Sequence, residues 1–109
     1  MIVVRITMNA LPEKQLEVLQ TLLSMIEPTS KEPGCLNFTA FSDIQDKNCF
    51  GLIQEWKTRQ DLNHHIRSHR FNVLLGTKTL LSEPPDIQIH TVSLSEGVEA
   101  VDATRGKKS

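Results

Sequence analysis

EPGCLNFTAFSDIQDKNCFGLIQEWKTRQDLNHHIRSHRF, residues 32–71, decides the fold. It opens on Glu32-Pro33-Gly34-Cys35. Proline at the second position and glycine at the third suit a type II turn, whose third residue needs a positive φ. Cys35 to Ser42 then alternates, with Leu36, Phe38 and Ala40 on one face and Asn37, Thr39 and Phe41 on the other. Asp43 to Asn48 is a polar turn, and Cys49 to Trp56 sets Phe50, Leu52 and Trp56 against Ile53 and Glu55. A period of two is the mark of a strand, and two such runs around a short polar loop predict an antiparallel hairpin. Thr58 is placed to cap a helix, with Asp61 three residues on as its capping-box partner. Leu62, His65 and Ile66 continue that helix, and Phe71, Val73, Leu74 and Leu75 extend it, with a kink expected near Ser68. Gly76 lowers helix stability, so an end or a bend is expected there.

Outward from this stretch the same patterns repeat. Ile2, Val4, Ile6 and Met8 alternate with Val3, Arg5, Thr7 and Asn9, predicting a first strand. Pro12 suits the first turn of a helix. Leu16, Leu19, Leu22, Leu23 and Ile26 follow as one apolar stripe, which Pro28 is expected to terminate. After Pro84-Pro85, Ile87, Ile89 and Thr91 face one way and Gln88, His90 and Val92 the other, a last strand. The order strand, helix, strand, strand, helix, strand predicts an α+β, ferredoxin-like βαββαβ fold with an antiparallel sheet. Residues 1–94 make the domain. Residues 95–109 lose periodicity and hold few large apolar groups, so a disordered tail is expected. Helices cover one face of such a sheet. The other would carry Val3, Phe41, Ile53 and Val92 among polar groups, and two sheets paired face to face would bury it.

Composition excludes several classes. Twelve basic residues stand against thirteen acidic ones, a net charge of −1, which argues against a nucleic-acid surface. No apolar run approaches the roughly 20 residues that span a bilayer, and Met1 to Arg5 reads as a strand rather than a signal peptide. Cys35 and Cys49 lack CxxC spacing, so a cytoplasmic protein with reduced thiols and no membrane partner is expected.

Three features together carry a family resemblance: EPGC at 32–35, an aromatic-rich strand ending in Glu55-Trp56, and L-x-x-H-x-x-S-x-x-F from Leu62 to Phe71. Over about residues 1–93 the chain resembles the antibiotic biosynthesis monooxygenase domain family. The resemblance implies a homodimer whose two sheets form a dimeric α/β barrel, with a small pocket between sheet and helices in each subunit. It implies a small-molecule substrate, no cofactor, and oxidation of a small quinol or phenol. Because relatives carry other chemistries, an isomerase of a small carbonyl compound and a non-enzymatic ligand-binding or stress-response domain stand as alternatives. Two positions depart from the family pattern. Phe38 replaces an aromatic that often bears a hydroxyl, and Arg70 stands where a second histidine often precedes the helical Phe71. Haem degradation is disfavoured, because no histidine follows His69 on the second helix and the one Trp lies on the preceding strand.

His65 is the candidate base: a neutral imidazole takes a proton from a phenol near pH 7. A structural histidine bonded to a strand or loop fits the same pattern. His69, four residues on, shares its face on a continuous helix, but the pair lacks the intervening Glu of a zinc helix, so no metal is expected. Trp56 either stacks on a flat substrate or fills the core. Asn9 either polarises a carbonyl or bound oxygen, or caps the helix that follows. By resemblance, Phe38 and Phe71 join Asn9, Trp56 and His69 as substrate-binding residues. Arg5 and Glu55 are expected to form a salt bridge across the sheet, His90 is expected at the interface with a partner, and Cys35 reads as an inert thiol.

Overall fold

Alternation along residues 2–9 produces β1 (Ile2–Asn9), the strand that organises the sheet. The computed structural model describes residues 1–106. A 3₁₀ turn at Pro12–Lys14 leads into α1 (Gln15–Ser30), followed by β2 (Cys35–Ser42) and β3 (Cys49–Trp56). Two short helices come next, α2 (Arg59–Ile66) and α3 (His69–Gly76), then β4 (Asp86–Thr91) and α4 (Val98–Arg105). The strands pair antiparallel in the order β2-β3-β1-β4, and the fold is ferredoxin-like α+β, as the pattern predicts.

Register explains which residues are core. Ile2 lies opposite Trp56 and Thr91, Val4 opposite Gln54 and Ile89, and Met8 opposite Phe50. The even residues of β1 therefore share a face with Phe50, Leu52, Gln54 and Trp56. Onto that face pack Val18, Leu22 and Met25 of α1, Leu62 of α2, and Phe71 and Leu74 of α3. Among the described residues, no helix buries side chains on the opposite face. Val3, Ile53 and Val92 on it are half-buried and Phe41 is exposed. Phe41 leans over Gly51, where a Cβ would lie 2.5 Å from its ring.

Local turn chemistry is as expected. The amide of Cys35 donates to the Glu32 carbonyl at 3.1 Å and Gly34 has φ +79°, which closes the Pro33-Gly34 turn. Thr58 Oγ1 accepts from the Asp61 amide at 3.1 Å, capping α2.

Several expectations are corrected. Pro28 does not end α1, which runs to Ser30. The proline removes only the bond to the Ser24 carbonyl, and Ser24 sits on the exposed side of the last turns where water can replace it. The buried stripe of α1 is Val18, Leu22, Met25 and Thr29. Leu16 and Leu23 are 59% and 57% exposed. Helix α1 is apolar around more than one side, so hydrophobicity alone did not fix its rotation on the sheet. Leu36 does not share the face of Phe38: an irregularity between Cys35 and Asn37 shifts the register and leaves Leu36 exposed. The kink at Ser68 is a full break. Ser68 is extended, with ψ 159°, donates to the His65 carbonyl at 2.6 Å, and receives the Phe71 amide at 3.3 Å. Arg5 faces Ile53, with Glu55 one register step away opposite Val3, and no ion pair joins them. Finally, residues 98–105 form α4 where disorder was expected; its Gly106 C-cap has φ +72°. No residue of α4 is buried. The radius of gyration, 16.2 Å, exceeds the roughly 13 Å of a compact chain of this length, consistent with an outlying C-terminal segment.

The turn at Gly34 yields a test. A Cβ there would meet the Asp61 carboxylate at 2.1 Å in a left-handed backbone, disturbing the α2 cap as well. Gly34→Ala is expected to lose about 2–3 kcal/mol in urea denaturation, the sum of a left-handed and a capping penalty. Gly76→Ala, in a helical conformation with nothing within 4 Å, is expected to change stability by under about 1 kcal/mol, in the stabilising direction. Equal behaviour of the two variants would show that the turn geometry does not matter.

Candidate functional site

Trp56 ends β3 on the helix-covered face, where β1 presents Ile2 beside it. The Trp56 indole is fully buried and donates from Nε1 to Gln54 Oε1 at 3.0 Å. His65, in the last turn of α2, stacks on that indole, with ring centroids 4.7 Å apart and planes at 29°. Phe71, in the first turn of α3, meets the imidazole edge-on at 5.6 Å and 81°. The break at Ser68 makes this possible, because it turns the start of α3 back over the end of α2.

The polar end of the cluster comes from the turn. Glu32 Oε2 lies 2.9 Å from His65 Nδ1 and 3.5 Å from Arg70 Nη1. The side chains of His65 and Glu32 are 0% and 8% exposed, while Arg70 reaches the surface. One carboxylate thus joins the α1–β2 turn to the end of α2 and the start of α3. Among the described residues, three buried side-chain polar atoms have no hydrogen-bond partner: His65 Nε2, Gln54 Nε2 and Thr29 Oγ1. Such atoms are uncommon in folded proteins and call for an explanation. Burial pulls the His65 pKa below its ordinary value; Glu32 pushes it back up, and Arg70 and His64 lower it further. The geometry presents an imidazole with one nitrogen engaged and the other bare, between two aromatic rings, in surroundings whose burial favours the neutral form. Chemically it suits taking a proton from a weakly acidic hydroxyl.

Of the residues singled out in the sequence, His65, Trp56 and Phe71 come together. Phe38 is buried one strand away, opposite Gln54. His69 is exposed at the start of α3, and the break removes it from the His65 face, so the i, i+4 pair does not form. Asn9 lies seven residues along β1 from Ile2, about 23 Å from the Trp56 end. It does not cap the following helical turn; its Nδ2 donates to Glu83 Oε1 at 2.8 Å and its carbonyl accepts from the Ser82 amide. His90 is exposed on the helix-free face, beside Val3. Burial first, and then Glu32, raise the Cys35 thiol above its ordinary pKa, consistent with an unreactive thiol. Among the described residues no three metal-ligating side chains gather. Glu32, Arg70 and Gln54 were not singled out as site residues. Gln54 had a legible signal, a polar residue between Leu52 and Trp56 on the apolar face of β3. Glu32 and His65 are 33 positions apart, and no local pattern couples them.

Comparison with known proteins agrees with this architecture. The family model described as antibiotic biosynthesis monooxygenase matches residues 1–74. "Putative monooxygenase YcnE" of Bacillus subtilis is 27% identical over 88 residues, 80% of this chain and 93% of that protein. "Uncharacterized protein sll1783" of Synechocystis is 28% identical over 93 residues, 84% of this chain; the match spans 63% of that longer protein. The crystal structure of a "putative antibiotic biosynthesis monooxygenase" from Deinococcus radiodurans superposes with a TM-score of 0.82 at 18% identity, covering 89% of this chain and 97% of that one. At that identity the likeness speaks to the fold. No helix among the described residues is long and apolar enough to cross a membrane.

The lowered pKa of His65 sets a pH dependence. Below the ordinary imidazole value of about 6.5 the unfolded chain binds a proton that the folded chain refuses, so stability is complete above that pH and declines as pH falls toward the folded value. Melting temperature should therefore drop between pH 7.5 and 5.5, and drop less steeply in His65→Gln, which has no imidazole to titrate. Parallel curves for parent and variant would contradict this assignment.

Proposed function

Because the chain belongs to the antibiotic biosynthesis monooxygenase family, we propose that it is a cofactor-independent oxidoreductase, a monooxygenase of a small quinol or phenol with His65 as its base. The observation that carries the proposal is the buried, unpartnered Nε2 of His65, held between the Trp56 and Phe71 rings. A phenolic hydroxyl donating to Nε2 would satisfy that atom and stack its ring in the same aromatic layer. Proton transfer to Nε2 makes the phenolate electron-rich enough to reduce dioxygen. One oxygen atom enters the ring, turning a C–H into a carbonyl as the phenol becomes a second carbonyl; the other leaves as water with both hydrogens. His65 has no exposed surface, so the proposal requires α2 and α3 to part on binding. Two eight-residue helices joined at a break can open at lower cost than the sheet.

Oxygen uptake with a panel of hydroquinones and phenols tests the activity. His65→Ala is expected to reduce kcat about 10²-fold or more. Uptake as fast as the parent's would remove His65 as the base, and turnover without oxygen would indicate an isomerase of a carbonyl compound. The complete enclosure of His65 favours a second reading, a domain that binds a small molecule without turnover. A ligand-induced rise in melting temperature with no oxygen uptake would support it.

The proposal includes a homodimer formed by the helix-free sheet faces, with Val3, Phe41, Ile53 and Val92 between them, in the cytoplasm, where Cys35 and Cys49 stay as free thiols. Residues 95–106 are proposed to lie outside this unit, and residues 107–109 of the same tail lie outside the described residues. Light scattering should give roughly twice the 12.3 kDa chain mass, both for the parent and after truncation at Leu94. Truncation should shift the melting temperature by no more than about 2 °C, since exposed termini contribute little. A monomer at micromolar concentration would contradict the dimer, and a large fall on truncation would show that the tail docks.

A further inference from the structure

We infer that Glu32 is a positioning residue: its buried carboxylate fixes His65 as the Nδ1–H tautomer and so leaves Nε2 as the atom that takes a proton. The inference rests on the proposed role of His65 for its functional part, and on geometry alone for its structural part. An ionised carboxylate accepts hydrogen bonds and cannot donate them. With Glu32 Oε2 2.9 Å from Nδ1, the hydrogen of a neutral imidazole must therefore sit on Nδ1. The opposite tautomer would set two lone pairs against each other inside the protein, with Nε2–H donating to nothing. Where one ring nitrogen is fixed by a carboxylate, the other carries the chemistry.

The surrounding contacts fit positioning. Trp56 and Phe71 hold the ring plane from two directions, leaving its tautomer to be set by the hydrogen bond. Glu32 is itself held by the turn that Gly34 closes and by Arg70 Nη1, 3.5 Å from the same oxygen. Arg70 can only donate, so it leaves the accepting role of the carboxylate unchanged. His64, the neighbour of His65 in the chain, is exposed.

The test is ¹⁵N NMR of the imidazoles in the full chain near pH 7.5, with His65 assigned by its loss in His65→Gln. The expected result is a pyrrole-like Nδ1 and a pyridine-like Nε2. A protonated Nε2 in the parent protein, whether in the opposite tautomer or in an imidazolium, overturns the inference. Glu32→Gln, whose amide offers both a donor and an acceptor, should release the preference and give mixed tautomers, while Glu32→Asp should retain Nδ1–H. An unchanged tautomer in folded Glu32→Gln, judged by circular dichroism, overturns it as well. If a hydroquinone is oxidised by the parent, Glu32→Gln should lower kcat about 10²-fold or more with KM within about threefold, and Glu32→Asp should recover part of the loss. Equal kcat in parent and Glu32→Gln would reduce the residue to a structural tie. If no oxygen is consumed, the monooxygenase reading fails while the ¹⁵N spectra still decide the tautomer.

Discussion

The Glu32 carboxylate is the contact on which the arrangement of this molecule's helical layer depends. A carboxylate that is 8% exposed has given up most of its hydration, a cost that only close donors offset. Two partners stand close, His65 Nδ1 at 2.9 Å and the Arg70 guanidinium at 3.5 Å, and they belong to different helices. The turn between α1 and β2 is thereby tied to both sides of the break at Ser68. Leaving a buried acceptor without its donor typically costs about 1–3 kcal/mol, and more for a charged group. Pro33 and Gly34 therefore do more than reverse the chain: they hold Glu32 where the end of α2 arrives.

The sheet supplies the other half of the constraint. Alternation along β1 and β3 sends every second residue into the helical layer, so Gln54 and Trp56 arrive there together in fixed register with Val4 and Ile2. Gln54 satisfies the indole, and the indole supports the imidazole. This produces a short run of polar groups, from Gln54 through Trp56 and His65 to Glu32, across an otherwise apolar core. Buried polar runs are costly when incompletely paired. Here the unpaired atoms include Gln54 Nε2 and His65 Nε2, the latter on a ring flanked by Trp56 and Phe71. That unspent hydrogen-bonding capacity is what separates this cluster from an ordinary core histidine.

Where the decisive interaction is local, the sequence is legible. The Pro33-Gly34 turn, the Thr58 cap, the β2–β3 hairpin and all four strands follow from neighbours within a few residues, and the order of elements then leaves few topologies. Longer-range choices are not legible in the same way. The rotation of α1 depends on how its several apolar sides meet the sheet, and the wrong stripe wins when leucines are weighed above Val18 and Met25. The irregularity at Leu36 inverts a face that simple alternation assigns. Pro28 is tolerated because of where its lost hydrogen bond points, a fact set by the tertiary structure. Helix α4 has little apolar surface to announce it, and a local C-cap glycine ends it.

The site divides along the same line. Motif spacing singles out His65, Trp56 and Phe71, which sit on adjacent elements and converge in space. Asn9 lies at the other end of β1 from Trp56, and only register tells which end of the sheet the histidine meets. Spacing does not place His69, because the face-sharing rule holds only along an unbroken helix. It misses Glu32 for the converse reason, since the turn brings together residues that no periodicity relates. The balance at His65 is equally a product of the assembled fold. Burial favours the neutral imidazole and the carboxylate opposes it, so neither the histidine nor the glutamate alone determines the protonation state. The imidazole is set in place by a turn carboxylate brought under a helix end, and its ionisation reflects the opposition of burial and that carboxylate.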